Sequence, residues 1–310
     1  MAAVINVQNL SKQFKDILAV NNLSFTVNEG DVYGFLGQNG AGKSTTIRML
    51  LSLVQPTSGK IEIFGKNLFT HRSEILKEVG AVIEKPDLYK YLSAYQNLRI
   101  FAKMSGVKVT EELLMRQLKM VGLDERAHSK VKTFSQGMKQ RLGIAVALVH
   151  NPKLIILDEP TNGLDPQGIA DMRNLIIRLS KEMGKTVLVS SHLLSEIEII
   201  ANRIIIINKG RKVVEGNATE LLDPAKTIVQ IDTVNNADAK QKLAQTEWSN
   251  MLLESEGALR LQMNKAAIPA LIADMTKKDI AVLSVQPRHS LEDYFLSITT
   301  QQPYADTAAN

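Results

Sequence analysis

The sequence predicts an α/β fold, a mostly parallel sheet flanked by helices, followed by a smaller α+β unit. Three observations carry that expectation. Short β-branched runs that are apolar on both faces recur through residues 1–216, as buried parallel strands do. Helix-like stretches lie between them, which is the alternation of an α/β sheet. From about residue 217 onward the apolar runs become sparser and the spacing changes.

The elements follow in order. Residues 32–36 read as a buried strand, and residues 44–53 as the helix after it. Strands are expected at 81–83, 154–157, 186–189 and 203–207, with helices at 135–150 and 168–183 between them. Asn208, Lys209, Gly210 and Arg211 separate two β-like runs, 203–207 and 212–215, and read as a hairpin turn. In the second region, strands are expected at 227–231, 258–263 and 280–285, with helices at 265–277 and 291–298. The closing stretch 301–310 is polar and expected to be a disordered tail. The expected domains are therefore 1–216, a small accessory domain 217–300, and that tail. No internal repeat is evident.

Composition narrows the classes. Apolar residues make up 45% and charged residues 22% of the 310, an ordinary globular balance rather than a disordered one. The net charge of +5 suits a phosphate-bearing ligand but selects none by itself. Lysine–arginine runs of the nucleic-acid-binding kind are absent, so no nucleic-acid partner is expected. There is no cysteine, which excludes disulfides and thiolate metal sites. The amino terminus lacks a signal-peptide layout. Apolar runs such as 204–207 fall far short of a membrane span, so any membrane role needs a partner that spans.

Chemistry concentrates in two segments. Gly37-Gln38-Asn39-Gly40-Ala41-Gly42-Lys43-Ser44 fits the pattern G-x-x-x-x-G-K-[ST], between an expected strand and an expected helix. Glycines let backbone N–H groups curl around phosphate oxygens, and the helix amino terminus adds positive potential. Lys43 would reach the β- and γ-phosphates of ATP, and Ser44 would ligate Mg²⁺. Thr45 is counted with this loop. Further on, Leu154-Ile155-Ile156-Leu157-Asp158-Glu159 is an apolar strand that delivers two carboxylates at its carboxyl end, where ligands of parallel sheets bind. Alone it reads as a solvated strand end. With a phosphate loop upstream, Asp158 becomes a candidate Mg²⁺ ligand and Glu159 a candidate general base. A third segment, Ser135-Gln136-Gly137, is by its residues only a capped helix start.

The loop, the Ser-x-Gly helix start, Leu154 to Glu159, Gly163-Leu164-Asp165 and Ser190-Ser191-His192 occur in one fixed order. That order resembles the nucleotide-binding subunit of ABC transporters, over residues 4 to about 216. The resemblance implies a P-loop ATPase core with a helical subdomain. It implies that Phe14 stacks on adenine. It implies that Ser135, Gln136 and Gly137 grip ATP bound to the opposite subunit, that Asp165 links the two sites, and that His192 contacts the γ-phosphate. It also implies two copies facing head to tail with ATP between them, and an integral membrane permease as partner. The expected location is cytoplasmic, peripheral on the inner face of the membrane.

Two departures stand out. The signature Leu-Ser-Gly-Gly-Gln reads Phe134-Ser135-Gln136-Gly137-Met138 here. Glu84 stands where the family has a glutamine that contacts Mg²⁺ and attacking water, one charge more negative at a metal site. This spelling resembles the exporters of bacitracin resistance and lantibiotic immunity, which also show Tyr33-Gly34-Phe35-Leu36-Gly37, residues 137–145, and a closing Leu291-Glu292-Asp293-Tyr294-Phe295. Tyr89, Tyr91, Leu92 and Tyr95, just after Glu84, are expected to form part of a groove for the membrane partner, or else to pack into a helical subdomain. The competing reading is a soluble ATPase of the same type that acts on ribosomes or DNA.

Overall fold

The computed structural model describes residues 2–221, 227–253 and 257–289. They fall into two compact units, divided between Asn217 and Ala218. The helix expected over 291–298, the motif Leu291 to Phe295 and the tail 301–310 lie outside the described residues.

In chain order the first unit begins with β1 (Ala3–Phe14), β2 (Ile17–Asn28), β3 (Val32–Leu36), α1 (Lys43–Leu50), β4 (Ser58–Ile63), β5 (Lys66–Asn67), α2 (Arg72–Leu76) and β6 (Val79–Val82). It continues with α3 (Ala94–Met104), α4 (Glu111–Met120), α5 (Gln136–Leu148), β7 (Leu154–Asp158) and α6 (Pro166–Lys181). It closes with β8 (Thr186–Ser191), α7 (Leu194–Ile200), β9 (Arg203–Asn208) and β10 (Arg211–Asn217).

The strands form two sheets. One has the order β10-β9-β3-β8-β7-β6. All its neighbours run parallel except the edge pair β9–β10, an antiparallel hairpin. That hairpin turns at Lys209 and Gly210, both with positive φ (46° and 75°), as a two-residue turn between twisted strands requires. Every residue of β3, β7 and β8 is buried, which is why these strands read as continuous apolar runs. The other sheet, β2-β1-β4-β5, is antiparallel. The main core fills the space between the two sheets, where Leu23, Phe25 and Val27 of β2 meet Ile47 and Leu50 of α1 and Leu154, Ile156 and Leu188 of the parallel sheet. Phe25 stacks on Tyr33 and tilts against Phe35 at 5.5 Å.

Register decides where the chemistry meets. β8 lies between β3 and β7, with Leu36 opposite Ser191 and Ser190 opposite Asp158. Gly37, Glu159 and His192 each follow the last residue of one of these strands. Parallel strands in that register bring all three loops to one end of the sheet.

The second unit carries α8 (Ala218–Leu221), β11 (Thr227–Thr233), α9 (Asn236–Leu243), β12 (Leu259–Met263), α10 (Ile268–Lys277) and β13 (Val282–His289). Its sheet is antiparallel with the order β12-β11-β13. Alternate residues of β11 point into a separate small core with Leu243, Trp248, Leu261, Leu271 and Met275. The Trp248 indole donates to Asp274 Oδ2 at 3.1 Å, so its polar edge is satisfied where the ring is buried.

Candidate functional site

The loop after β3 is shaped by close approach. Gly42 caps α1 with φ of 103°, and a Cβ there would lie 2.5 Å from the Ala19 carbonyl oxygen. Only glycine fits. The loop then turns into α1, whose first N–H groups have no intrahelical acceptor and could receive an anion. Gln38, Asn39, Gly40, Gly42, Lys43, Ser44 and Thr45 line a groove of about 520 Å³ together with Ile17, Leu18, Ala19, Lys209 and Glu159. Gly37 and Ala41 support this rim from behind: Gly37 accepts from Lys43, and Ala41 is buried.

Lys43 is nearly fully buried. Its Nζ donates to the Gly37 carbonyl at 2.6 Å and the Gln38 carbonyl at 3.2 Å, and pairs with Glu159 Oε1 at 3.0 Å. The second oxygen of Glu159 lies 2.8 Å from His192 Nδ1. A carboxylate only accepts, so Nδ1–H donates and Nε2 is left for another group. Glu159 itself has φ of 49°, a left-handed backbone on a non-glycine residue, of the kind that gathers at functional sites. Its N–H donates to Ser190 Oγ at 2.9 Å, and Ser190 Oγ–H donates to Asp158 Oδ1 at 2.5 Å. Asp158 is wholly buried, and its other oxygen, Oδ2, has no partner. A buried carboxylate oxygen left open is costly unless something else binds it.

That open oxygen fits Mg²⁺. The ion takes hard oxygen donors and keeps several waters and phosphate oxygens, so one carboxylate and one hydroxyl from the protein suffice. Among the described residues no group of three or more His, Asp or Glu gathers to hold a metal by itself.

Other expected residues stand apart from the groove. Ser135 caps α5, its Oγ accepting from Met138 N–H at 3.2 Å. Asp165 caps α6, its Oδ1 accepting from Gly168 N–H at 3.0 Å. Both are exposed. Gln136 lines a second cavity with Glu84 and Glu159. Glu84, also with a left-handed backbone (φ 54°), is exposed and pairs with Arg48 of α1 at 2.7 Å. Phe14 ends β1 opposite Ile17, is partly exposed, and has Lys12 Nζ 4.8 Å from its ring centre. Ile17 and Leu18, which line the groove, were absent from the sequence expectation. Their exposure (70% and 46%) at the groove mouth is the structural signal that singles them out.

The profile of the ABC transporter family matches residues 20–162. The chain is 41% identical over 300 residues to the bacitracin transport ATP-binding protein of Bacillus licheniformis, covering 96% of this chain and 98% of that one. It is 45% identical over 212 residues to the lantibiotic transport ATP-binding protein of Streptococcus pyogenes, covering 68% of this chain and 90% of that protein. A solved ATP-binding cassette, dimeric in a post-hydrolysis state with ADP and Pi, superposes with a TM-score of 0.63 at 28% identity, over 69% of this chain and 98% of that one. The fold is the P-loop ATPase fold of these cassettes, and the chain belongs to the family of ABC transporter ATP-binding proteins.

Proposed function

We propose that this chain is the ATP-hydrolysing subunit of an exporter, driving a separate membrane permease. The observation that carries the reading is the meeting of Lys43, Glu159 and His192 on one carboxylate, with Glu159 Oε1 3.0 Å from Lys43 Nζ and Glu159 Oε2 2.8 Å from His192 Nδ1, where the segments that follow three adjacent strands come together. In this account the backbone N–H groups of Gly37 to Thr45 cradle the phosphates. Lys43 leaves Glu159 for the β- and γ-phosphates. Glu159 Oε1, released, accepts a proton from the attacking water. His192 turns Nε2 to the γ-phosphate while Glu159 holds Nδ1. Phe14 stacks on adenine. Ser44 and Asp158 Oδ2 would hold Mg²⁺, with Glu84, which lines a cavity with Glu159, as a further candidate; the ion would supply charge neutralisation at the phosphates.

The site is completed by a second copy. Exposure of Ser135 and Asp165, and the dimeric state of a similar solved cassette, support the view that Ser135, Gln136 and Gly137 grip ATP held by the partner subunit. ATP then favours the closed pair through its differential affinity for that state.

The names of the similar proteins, for bacitracin transport and lantibiotic transport, support a transport role with a peptide antibiotic as the substrate class. Among the described residues no helix is long and apolar enough to cross a membrane. In this reading the permease is a separate chain, and this one sits on its cytoplasmic face. Tyr89 and Tyr91 are 52% and 79% exposed, and offer an aromatic surface for that permease. Asn97, fully buried, fixes that segment by accepting from Tyr89 N–H at 2.8 Å and donating to the Tyr89 and Ser93 carbonyls. The test is ATP hydrolysis by the purified chain with Mg²⁺: a wild type that binds ATP without turning it over would remove the catalytic assignment.

A further inference from the structure

Behind the catalytic carboxylate lies a second buried acid that the mechanism above does not use. Glu196 sits in the first turn of α7, where the helix amino terminus favours a carboxylate. It is 8% exposed. Its Oε2 receives the Thr161 hydroxyl in a short hydrogen bond and the Ser191 hydroxyl at 3.4 Å. The Ser191 Oγ in turn accepts from Leu193 N–H at 3.0 Å. Thr161 and Ser191 are themselves buried.

The two hydroxyls come from different segments. Ser191 directly precedes His192. Thr161 lies two residues after Glu159 and four before Asp165, in a chain of turns in which Asn162 N–H donates to the Glu159 carbonyl and Leu164 N–H to the Thr161 carbonyl. A single oxygen atom therefore ties the loop after β7 to the loop after β8. Burying a carboxylate here is costlier than burying an apolar side chain of equal volume, so volume alone does not account for it. The segments also touch through His192 and Glu159, and through Glu159 N–H and Ser190 Oγ. The His192 contact is made by groups that act on phosphate in the reading above. The contact through Glu196 involves no atom that meets ATP in that reading.

We propose that Glu196 is a positioning residue: it fastens the loop carrying Asp165 to the segment carrying His192, so that the dimer-facing loop and the phosphate-facing histidine keep one register through turnover. This rests on the ATPase reading above.

The test compares full-length chains in steady-state ATPase assays and in nucleotide titrations. Glu196→Met keeps the volume and removes the acceptor; Thr161→Val keeps the shape and removes the donor. Each should lower kcat by roughly ten- to a hundredfold, since a small misplacement of a catalytic group costs that much. The ATP Kd should stay within about twofold of wild type, because neither atom meets nucleotide. Glu196→Gln retains an oxygen at the same position and Thr161→Ser retains the hydroxyl, so both should restore most of kcat. The double variant Thr161→Val/Glu196→Met should be no worse than either single, because both break one link. Met and Val variants at wild-type kcat, losses that multiply, or a Kd that moves in step with kcat would each overturn the proposal. If Glu196→Met does not fold, the Val and Ser variants at Thr161 decide alone. An inactive wild type sinks the ATPase reading itself, whereas an active wild type with equally active variants sinks only the positioning role.

Discussion

Replacing Glu159 with glutamine separates two jobs that the structure assigns to one carboxylate. Glu159 Oε1 lies 3.0 Å from Lys43 Nζ, with the two side chains 14% and 5% exposed. Two unit charges at that distance interact by roughly 5–6 kcal/mol at an effective dielectric near 20. Desolvation offsets much of that gain. If a quarter of it survives as a barrier to moving Lys43 onto phosphate, it amounts to about 1.4 kcal/mol, or tenfold in affinity. The same substitution removes a negative charge that repels the phosphates. Glu159→Gln should therefore bind ATP about tenfold more tightly, and hydrolyse it about 10²- to 10⁴-fold more slowly for want of a base. A fluorescent-nucleotide titration at protein concentrations that keep the chain monomeric reads the first effect. Single-turnover hydrolysis reads the second. Affinity equal to or weaker than wild type would refute the ion pair as a competitor for Lys43. Undiminished hydrolysis would falsify the general-base role.

Further expectations follow from the same geometry. Lys43→Ala should weaken ATP binding at least about tenfold, through loss of a charge-assisted contact of about 1.5–3 kcal/mol, and a titration with unchanged affinity would contradict the loop assignment. Gly42→Ala should do comparable harm, because its Cβ would press on the Ala19 carbonyl at 2.5 Å with φ at 103°; crystals of the variant with an undisturbed loop would refute that. Glu84→Gln should change stability by less than about 1 kcal/mol, since its pair with Arg48 is largely solvent-exposed, while shifting the Mg²⁺ concentration for half-maximal ATPase. Burial pushes the Lys185 ammonium below the usual lysine range, although its Nζ donates to Asn151 Oδ1 at 2.7 Å. The folded chain then holds that proton more weakly than the unfolded chain, so stability gains with rising pH between the depressed value and about 10.4. Denaturation of Lys185→Met should lack that gain, and parallel pH profiles for the two proteins would count against it.

How much of this was legible depends on what each residue needed from the rest of the chain. Val32 to Leu36, Leu154 to Leu157 and Thr186 to Val189 are buried on both faces, so their apolar runs announce themselves without tertiary context. The phosphate loop is local and its motif is complete within eight residues. The antiparallel sheet is harder to see. Its alternation is present at Leu23, Phe25 and Val27, but β1 and β2 are broken by bulges, with left-handed residues at Asn9 and Asn22. Polar asparagines and register shifts blur a period of two. Contacts across the fold leave no local trace. The pair Arg48–Glu84 spans 36 positions and Thr161–Glu196 spans 35. Glu196 lies among Ser195, Ile197 and Glu198, where it reads as a solvent-facing helix acid; only packing reveals that it is buried. The tie between His192 and Glu159 follows from strand order, which the linear sequence does not display.

A site shared between two copies is tested by one mixing experiment. Lys43→Ala lacks a working phosphate loop, and Ser135→Arg lacks a working signature segment. Each alone should be inactive. Mixed in equal amounts, half of the dimers pair one of each, and each such dimer holds one site whose loop and signature are both intact. ATPase activity should then return to about a quarter of the wild-type rate, as two-fold symmetry with independent sites requires. A mixture as inactive as its parts, or a Ser135→Arg chain that hydrolyses ATP on its own, would contradict the composite site.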